Sequence, residues 1–326
     1  MRVLITGATG KVGQWFLGRF LEDPRWVDAT IVALCHNRTL PETERVKVVR
    51  GSISDPNVAG RAVEGVSHVF HMATVKEDPA NAMQVSVGGM FNLLEAFRLS
   101  PTAQQSVLIG GDCVVGHCIV GHPIPVTEDS PRLSYPGVYA LSKVLEEVML
   151  EQYGIQYGLN WTVLPAPWIM EKDDFRYALS FGPEQFGGPD WDGLIDSGRR
   201  AHYTETGRVP VITTAAGLPL KRNFVHVSDL VEAMLAAIDH PAARQQLFNI
   251  AMTEPVDYGI VGEHLSRTRG MTPVEIPSGM HSNILDNAKA RLLLGWAPKV
   301  DPLSLVDMAF DYVRSSDDPR KVWYVG

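Results

Sequence analysis

Cysteine is scarce in this chain, with Cys35, Cys113 and Cys118 the three in 326 residues. Three thiols cannot build a disulfide framework, and a reducing compartment suits them best. Positive charge is also in deficit. With 29 lysines and arginines against 37 aspartates and glutamates, the net charge of −8 leaves no basic footprint for nucleic acid. Local amides and a few arginines can still hold a phosphorylated ligand. No apolar run reaches membrane-spanning length. No basic region with a long apolar segment precedes the first strand, so no cleavable leader is expected and the cytoplasm is the expected compartment. Repeats and low-complexity tracts are missing, which excludes solenoids and arrays. What is there, 45% apolar and 20% charged residues, is the composition of a soluble globular protein. The length predicts one large domain with a smaller partner.

The most informative stretch is Met1 to Gly13, MRVLITGATGKVG. Val3, Leu4 and Ile5 read as a buried strand, and Gly7, Gly10 and Gly13 fall where the chain turns into a helix over Gln14 to Leu21. Each glycine has a physical reason: a backbone angle that side chains forbid, close approach of a pyrophosphate, and tight packing of helix on strand. The helix start offers unpaired amides and the positive end of its dipole to phosphates.

Further short β-branched runs follow at Thr30 to Leu34, Val46 to Val49, His68 to Met72, Ser106 to Ile109 and Asn160 to Leu164. Helical patterns lie between them, at Val58 to Val63, Ala80 to Phe97 and Pro136 to Tyr153. This alternation predicts an α/β fold, a doubly wound parallel sheet of Rossmann type over 1–164, with ligands at the carboxyl ends of the strands. Beyond Leu164 the pattern changes. Residues 165–221 are rich in glycine and proline, including Pro165, Pro167, Pro183 and Pro219, with Trp168, Phe186 and Trp191 among them. An irregular lobe over 165–326, mainly for substrate, is expected there. Residues 222–250 are expected to return to the first domain. Helices are predicted at 258–268, 288–293 and 303–314, with an extended segment at 274–276.

Tyr139 and Lys143, four apart in VYALSKVLEEVM, share one face of the helix predicted there. A phenol ionises near pH 10 and is a poor base at neutrality. A neighbouring ammonium, with the positive nicotinamide of an oxidised dinucleotide, favours the phenolate and makes proton exchange with a substrate hydroxyl feasible. Lysine donates to the nicotinamide ribose at the same time.

In order along the chain, the glycine turn Gly7 to Gly13, Val69-Phe-His-Met-Ala73, Tyr139-Ala-Leu-Ser-Lys143, Asn223 to Asp229 and Leu294-Gly-Trp-Ala-Pro298 resemble an extended short-chain dehydrogenase/reductase of the NAD-dependent epimerase/dehydratase type. The resemblance covers nearly the full length. It implies a nucleotide-binding lobe, a small C-terminal substrate lobe, and a homodimer through the helices at 80–97 and 136–153. Tyr139 and Lys143 are the implied catalytic pair. Gly7, Thr9, Gly10, Lys11, Val12, Gly13, Ser52, Ile53, Met72, Ala73 and Lys143 are the implied cofactor contacts.

The departures narrow the expectation. The family's Ser or Thr after the fifth strand, which binds the reacting oxygen, is Gly111 here, leaving Asp112 or Cys113, a water or a substrate group to replace it. The family's Asn near the start of the preceding helix is Ser86, the acid after the third strand is Ser52, and the Arg after the sixth is Pro165. A smaller sugar, sugar acid or polyol then becomes more attractive than a standard nucleotide sugar, with Lys76, Gly111, Asp112, Cys113 and Trp168 as substrate-side candidates. NAD enzymes place an acid about 20 residues past the glycines. Here Ala33-Leu-Cys-His-Asn-Arg38 has none, and Arg38 or His36 suits a 2′-phosphate, so the balance tips from NAD towards NADP. Two other readings stand beside the enzyme: a dinucleotide-binding sensor or scaffold impaired by Gly111, and zinc-assisted chemistry. The second would use Cys113, His117, Cys118 and His122, whose spacing matches no structural zinc motif, and no metal is expected.

Overall fold

The computed structural model describes residues 1–182 and 187–320. Pro183 and Phe186 lie outside the described residues. Six strands follow the predicted runs within a few residues: β1 (Arg2–Thr6), β2 (Thr30–Cys35), β3 (Val46–Arg50), β4 (His68–His71), β5 (Gln105–Gly111) and β6 (Trp161–Ala166). A short edge strand, Gln246–Leu247, joins them in a seven-stranded sheet that runs from it through β6, β5, β4, β1 and β2 to β3. Every pairing in this sheet is parallel. The fold is the expected Rossmann-type α/β arrangement.

Alternation along each strand decides which helices cover which face. Val3, Ile5, Ile31, Ala33 and Val107 pack on one side with Phe16 and Phe20 of the first helix, α1 (Lys11–Glu22), and with Leu230 and Met234 of the helix Val227–Ala237. Leu4, Val32, Val69 and Leu108 face the other way, against Val58 and Ala62, Leu93 and Phe97, and Leu150. Both faces are dry, which is why these strands read as continuous apolar runs. The order reverses at β1, which lies between β2 and β4, and the crevice opens at the carboxyl ends there.

The helix predicted from Ala80 to Phe97 runs from Pro79 to Arg98 and passes through a wider π turn over Ala82–Val87. The helix predicted from Pro136 extends over Val138–Tyr157 and stops at Gly158 with φ 68°. Residues 165–221 are more regular than their glycine and proline content suggests. They contain the strands Trp168–Met170 and Arg208–Thr213 and the helices Asp174–Ala178 and Ser197–Glu205. Arg208–Thr213 carries Pro210 yet pairs in parallel with Thr272–Pro277, because a two-stranded sheet leaves an open edge where a missing N–H costs nothing. A second core gathers Met170, Phe175, Trp191, Ile212, Phe224 and Tyr258. Phe224–His226 pairs with Trp168–Met170 rather than with the central sheet, although Val225 packs in the first core. The His226 ring accepts the Ser228 amide and caps the next helix, and Trp296 Nε1 donates to the Asp229 carbonyl. Among the described residues no helix is long and apolar enough to cross a membrane.

Candidate active site

The glycine turn is shaped by close backbone contacts. Gly7 has φ 70°, and a Cβ there would lie 2.9 Å from the Ala73 amide nitrogen; one on Gly13 would lie 2.3 Å from the Gly7 carbonyl oxygen. The turn is fastened to the end of β4 through Thr6, whose hydroxyl accepts the Met72 and Ala73 amides at 3.1 Å each. Having accepted two, it donates its one proton to His71 Nδ1, 2.8 Å away. Burial, with Lys143 nearby, holds His71 down at about 3, so this fully buried ring is neutral and structural. Helix α1 starts behind Gly10, which has no side chain to cap it, and its first residues, Lys11, Val12 and Gly13, line the crevice where an anion site would lie.

Beyond the turn lies a cavity of about 580 Å³. Of the residues named from the sequence, Gly7, Gly10, Lys11, Val12, Gly13, Met72, Lys76, Gly111, Asp112, Cys113, Tyr139, Lys143 and Trp168 line it together. The Lys11 ammonium reaches across to the second core, donating to the Ile169 carbonyl at 3.0 Å and to the Asp174 carboxylate. Burial lowers its pKa while Asp174 pulls the other way. Thr9, Arg38, Ser52, Ile53 and Ala73 are outside the lining. The Thr9 carbonyl accepts Gln14 Nε2, Ser52 bonds Ser54 at 2.8 Å, Ile53 is buried, and the exposed Arg38 receives the Arg50 side chain on its carbonyl.

The helix that presents Tyr139 begins at a glycine with no capping side chain of its own. A distant carboxylate supplies the cap: Glu77 Oε2 accepts the Val138 amide at 2.9 Å. This sets the register in which Tyr139 and Lys143 both face the cavity. Lys143 Nζ donates to the Ile109 carbonyl at 3.2 Å and to Glu146 Oε2 at 2.7 Å. The Lys143 and Glu146 side chains are 2% and 0% exposed. Burial raises the Glu146 carboxyl while the ammonium pulls it back. Burial and the neighbouring Cys113 and Tyr135 push the Tyr139 hydroxyl well above the ordinary phenol range, so in the protein alone it is an acid in waiting. The phenolate that the Tyr–Lys spacing favours is not the resting form, because burial disfavours the charged phenolate and the neighbouring Cys113, Tyr135 and Glu146 add to that.

Gly111 stands beside this hydroxyl. A Cβ built on it would lie 3.7 Å from Tyr139 Oη and 3.1 Å from Cys113 Sγ, so the thiol occupies the space that a Ser or Thr side chain would enter. Burial pushes Cys113 up to about 12, and it remains a thiol, a weak donor.

His117 carries a network that the spacing Cys113, His117, Cys118, His122 does not reveal. Its Nδ1 lies 2.6 Å from Asp112 Oδ2, and its Nε2 meets Trp168 Nε1 at 2.8 Å and Arg222 Nη2 at 2.9 Å. Burial opposes a charge on the ring and Asp112 favours one. Tryptophan and arginine have only donors to offer, so as bonded here Nε2 is the acceptor and Nδ1 donates to Asp112, although Asp112 and Cys118 outweigh burial and raise the ring's pKa to about 9. The result pins the Trp168 indole as a cavity wall. His122 bonds the Val115 carbonyl at 2.6 Å, and among the described residues no three His, Cys, Asp or Glu side chains converge on a metal position. Sequence reasoning missed Thr74, Glu77, Tyr135, Glu146 and Arg222. Thr74 Oγ1 is buried in the wall without a hydrogen-bond partner, an atom shaped for a ligand. The uncovered helix start, the cradle with no room for a Cβ and this orphan hydroxyl together fit a dinucleotide.

Residues 3–251 match the NAD dependent epimerase/dehydratase family, and the chain belongs to it. It is an enzyme of the extended short-chain dehydrogenase/reductase type that depends on NAD(P). It is 28% identical over 319 residues to a UDP-glucose 4-epimerase of Mycolicibacterium smegmatis, covering 92% of this chain and 94% of that one. It is 25% identical over 266 residues to the dihydroflavonol 4-reductase of Hordeum vulgare, covering 74% and 68%. In fold it is similar to a short-chain dehydrogenase/reductase superfamily protein from Agrobacterium tumefaciens solved with bound NAD, with a TM-score of 0.73, 21% identity, and coverage of 95% and 96%.

Proposed function

We propose that this enzyme oxidises and reduces, or epimerises, a hydroxyl-bearing carbon of a carbohydrate-like substrate, a sugar, sugar acid or polyol. The observation that carries it is the placement of Tyr139 and Lys143 on one helix face, in the same cavity as the Gly7 to Gly13 turn. A bound nicotinamide supplies hydride exchange. Tyr139 gives its proton to the reacting oxygen or takes it back, and Lys143 holds the cofactor ribose. Trp168, Asp112, Cys113 and Lys76 bound the substrate end, and water is excluded by Met72, Ile109 and Ile169. Residues 1–164 with 222–250 serve the cofactor and the remainder serves the substrate. The long helices, which pack on the other face of the sheet, leave Phe91, Leu141 and Ile155 exposed, which supports a homodimer through them.

Tyr139→Phe tests the reading. With NAD+ or NADP+ and glucose, glucuronate, a hexitol or UDP-glucose as probes, it should lower turnover about 10²-fold or more while cofactor affinity holds. Net cofactor reduction marks a dehydrogenase, and isomerisation without it an epimerase. Unchanged turnover removes Tyr139 from the chemistry; cofactor binding with no turnover on any probe favours the sensor reading.

The family relation supports NAD(P), and within it we favour NADP on Arg38. The Arg38→Ala protein should bind NADP+ about tenfold more weakly, the loss of roughly one charge-assisted hydrogen bond, and NAD+ equally well. Fluorescence titration with both cofactors measures this, and equal losses for the two exclude the role.

A further inference from the structure

We propose that residues 314–320, far along the chain from the glycine turn, belong to the cofactor site: through Asp174 they set the charge that Lys11 presents to the dinucleotide pyrophosphate. The proposal rests on the reading that the Gly7 to Gly13 turn receives the cofactor, and not on the chemistry assigned to Tyr139. Lys11 is the first residue of α1 and lines the cavity beside Gly10 and Gly13. A cation there opposes the positive end of the helix dipole, and burial adds to its cost, so the position calls for negative charge close by. In the protein alone Asp174 supplies it, together with the Ile169 carbonyl. Lys11 also lines a second cavity, of about 460 Å³, with Trp15, Arg314 and Asp318.

Asp174 is a shared carboxylate. Its Oδ2 accepts Lys11 and, at 3.1 Å, the Glu171 amide, while its Oδ1 accepts Arg320 Nη1 at 3.2 Å. Arg320 also reaches Asp173 Oδ1 at 3.2 Å, and Asp173 holds Arg314 through both oxygens, at 2.5 and 2.8 Å. Lys172 meets Asp318 at 2.5 Å, so residues 172, 173 and 174 are each tied to the 314–320 segment. None of the Lys11, Asp173, Asp174 and Arg320 side chains is more than 10% exposed, and at that depth salt screens little. Burial lowers the Lys11 pKa, Asp174 and Glu171 pull it up, and Arg320 lowers it further, so the two cations feel one another across the carboxylate. A carboxylate serving Lys11 alone would cancel most of its pull on a phosphate. Drawn to Arg320 on its other oxygen, it cancels less. When a pyrophosphate takes up Lys11, Asp174 keeps Arg320, and no buried carboxylate is stranded beside the incoming negative charge.

Calorimetric titration of the full chain with NAD+ and with ADP-ribose, and competition by adenosine, test this without a substrate. Arg320→Gln should weaken NAD+ and ADP-ribose about fivefold, the effect of one nearby charge in a partly screened site, with Arg320→Lys restoring most of it. Asp174→Asn keeps an oxygen for Lys11 and removes the competing charge, so it should tighten both about as much. Adenosine, which has no phosphate, should bind every variant as it binds the parent. In a Lys11→Met background Arg320→Gln should have no further effect. Weaker binding in Asp174→Asn, an equal loss for adenosine, or an Arg320→Gln effect that persists without Lys11 makes the segment scaffolding and overturns the proposal. Should Arg320→Gln fold poorly, the opposite sign expected for Asp174→Asn decides by itself. A parent chain that does not bind NAD+ would fail the reading of the turn instead.

Discussion

Gly13→Ala abolishes dinucleotide binding and destabilises the chain. The added Cβ would stand 2.3 Å from the Gly7 carbonyl oxygen and 2.7 Å from Ala8 Cα. Both are backbone atoms, so no rotamer change relieves the contact, and the turn must open away from the end of β4. Overpacking of this kind costs about 1–3 kcal/mol, and the phosphate cradle is lost with the geometry. Gly18→Ala is the matched control. It lies on the exposed side of the same helix with nothing within 4 Å of a built Cβ, and should stabilise by about 1 kcal/mol through helix propensity. Urea melts and calorimetric titration with NAD+ read both. Full NAD+ affinity in Gly13→Ala would mean that the turn does not form the cofactor site.

The second large effect concerns the buried pair Lys143 and Glu146. Glu146→Ala leaves the ammonium with the Ile109 carbonyl, 3.2 Å away, and no counter-charge on its own helix face. Leaving one member of a buried pair uncompensated costs about 3–5 kcal/mol. Lys143→Met with Glu146→Leu removes both charges and should recover most of that stability, while turnover stays lost because the lysine proposed to hold the cofactor ribose is gone. Denaturant midpoints of the two single variants and the double variant measure the coupling. Additive losses would show that the two groups do not depend on each other.

That Tyr139 and Lys143 share a helix face was legible in the sequence, but the state of that lysine was not. Tyr139 and Lys143 share a face because they are one helical turn apart, a relation that needs no knowledge of the fold. Glu146 is close by in sequence, yet VLEEVM has two adjacent glutamates, both buried, and only the packed geometry shows that Glu146 meets the ammonium while Glu147 meets Arg132. His117 was visible only as part of a Cys/His spacing that matched no metal motif, whereas its partners Trp168 and Arg222 come from elements 51 and 105 residues away. Glycine and proline likewise marked 165–221 as irregular, because their propensities describe the isolated chain; pairing with 272–277 made a strand of 208–213 all the same.

By itself the sequence determined the parallel α/β order, the glycine turn and the helix face that Tyr139 and Lys143 share, all of which follow from backbone angles and side-chain period within a few residues. Tertiary structure alone decided that Glu77 caps that helix, that Cys113 fills the space beside Gly111 and that Lys76 lies over Tyr139. Those contacts join segments after β4, after β5 and on the long helix. Their distances are set by the packing of sheet and helices, which no local spacing records.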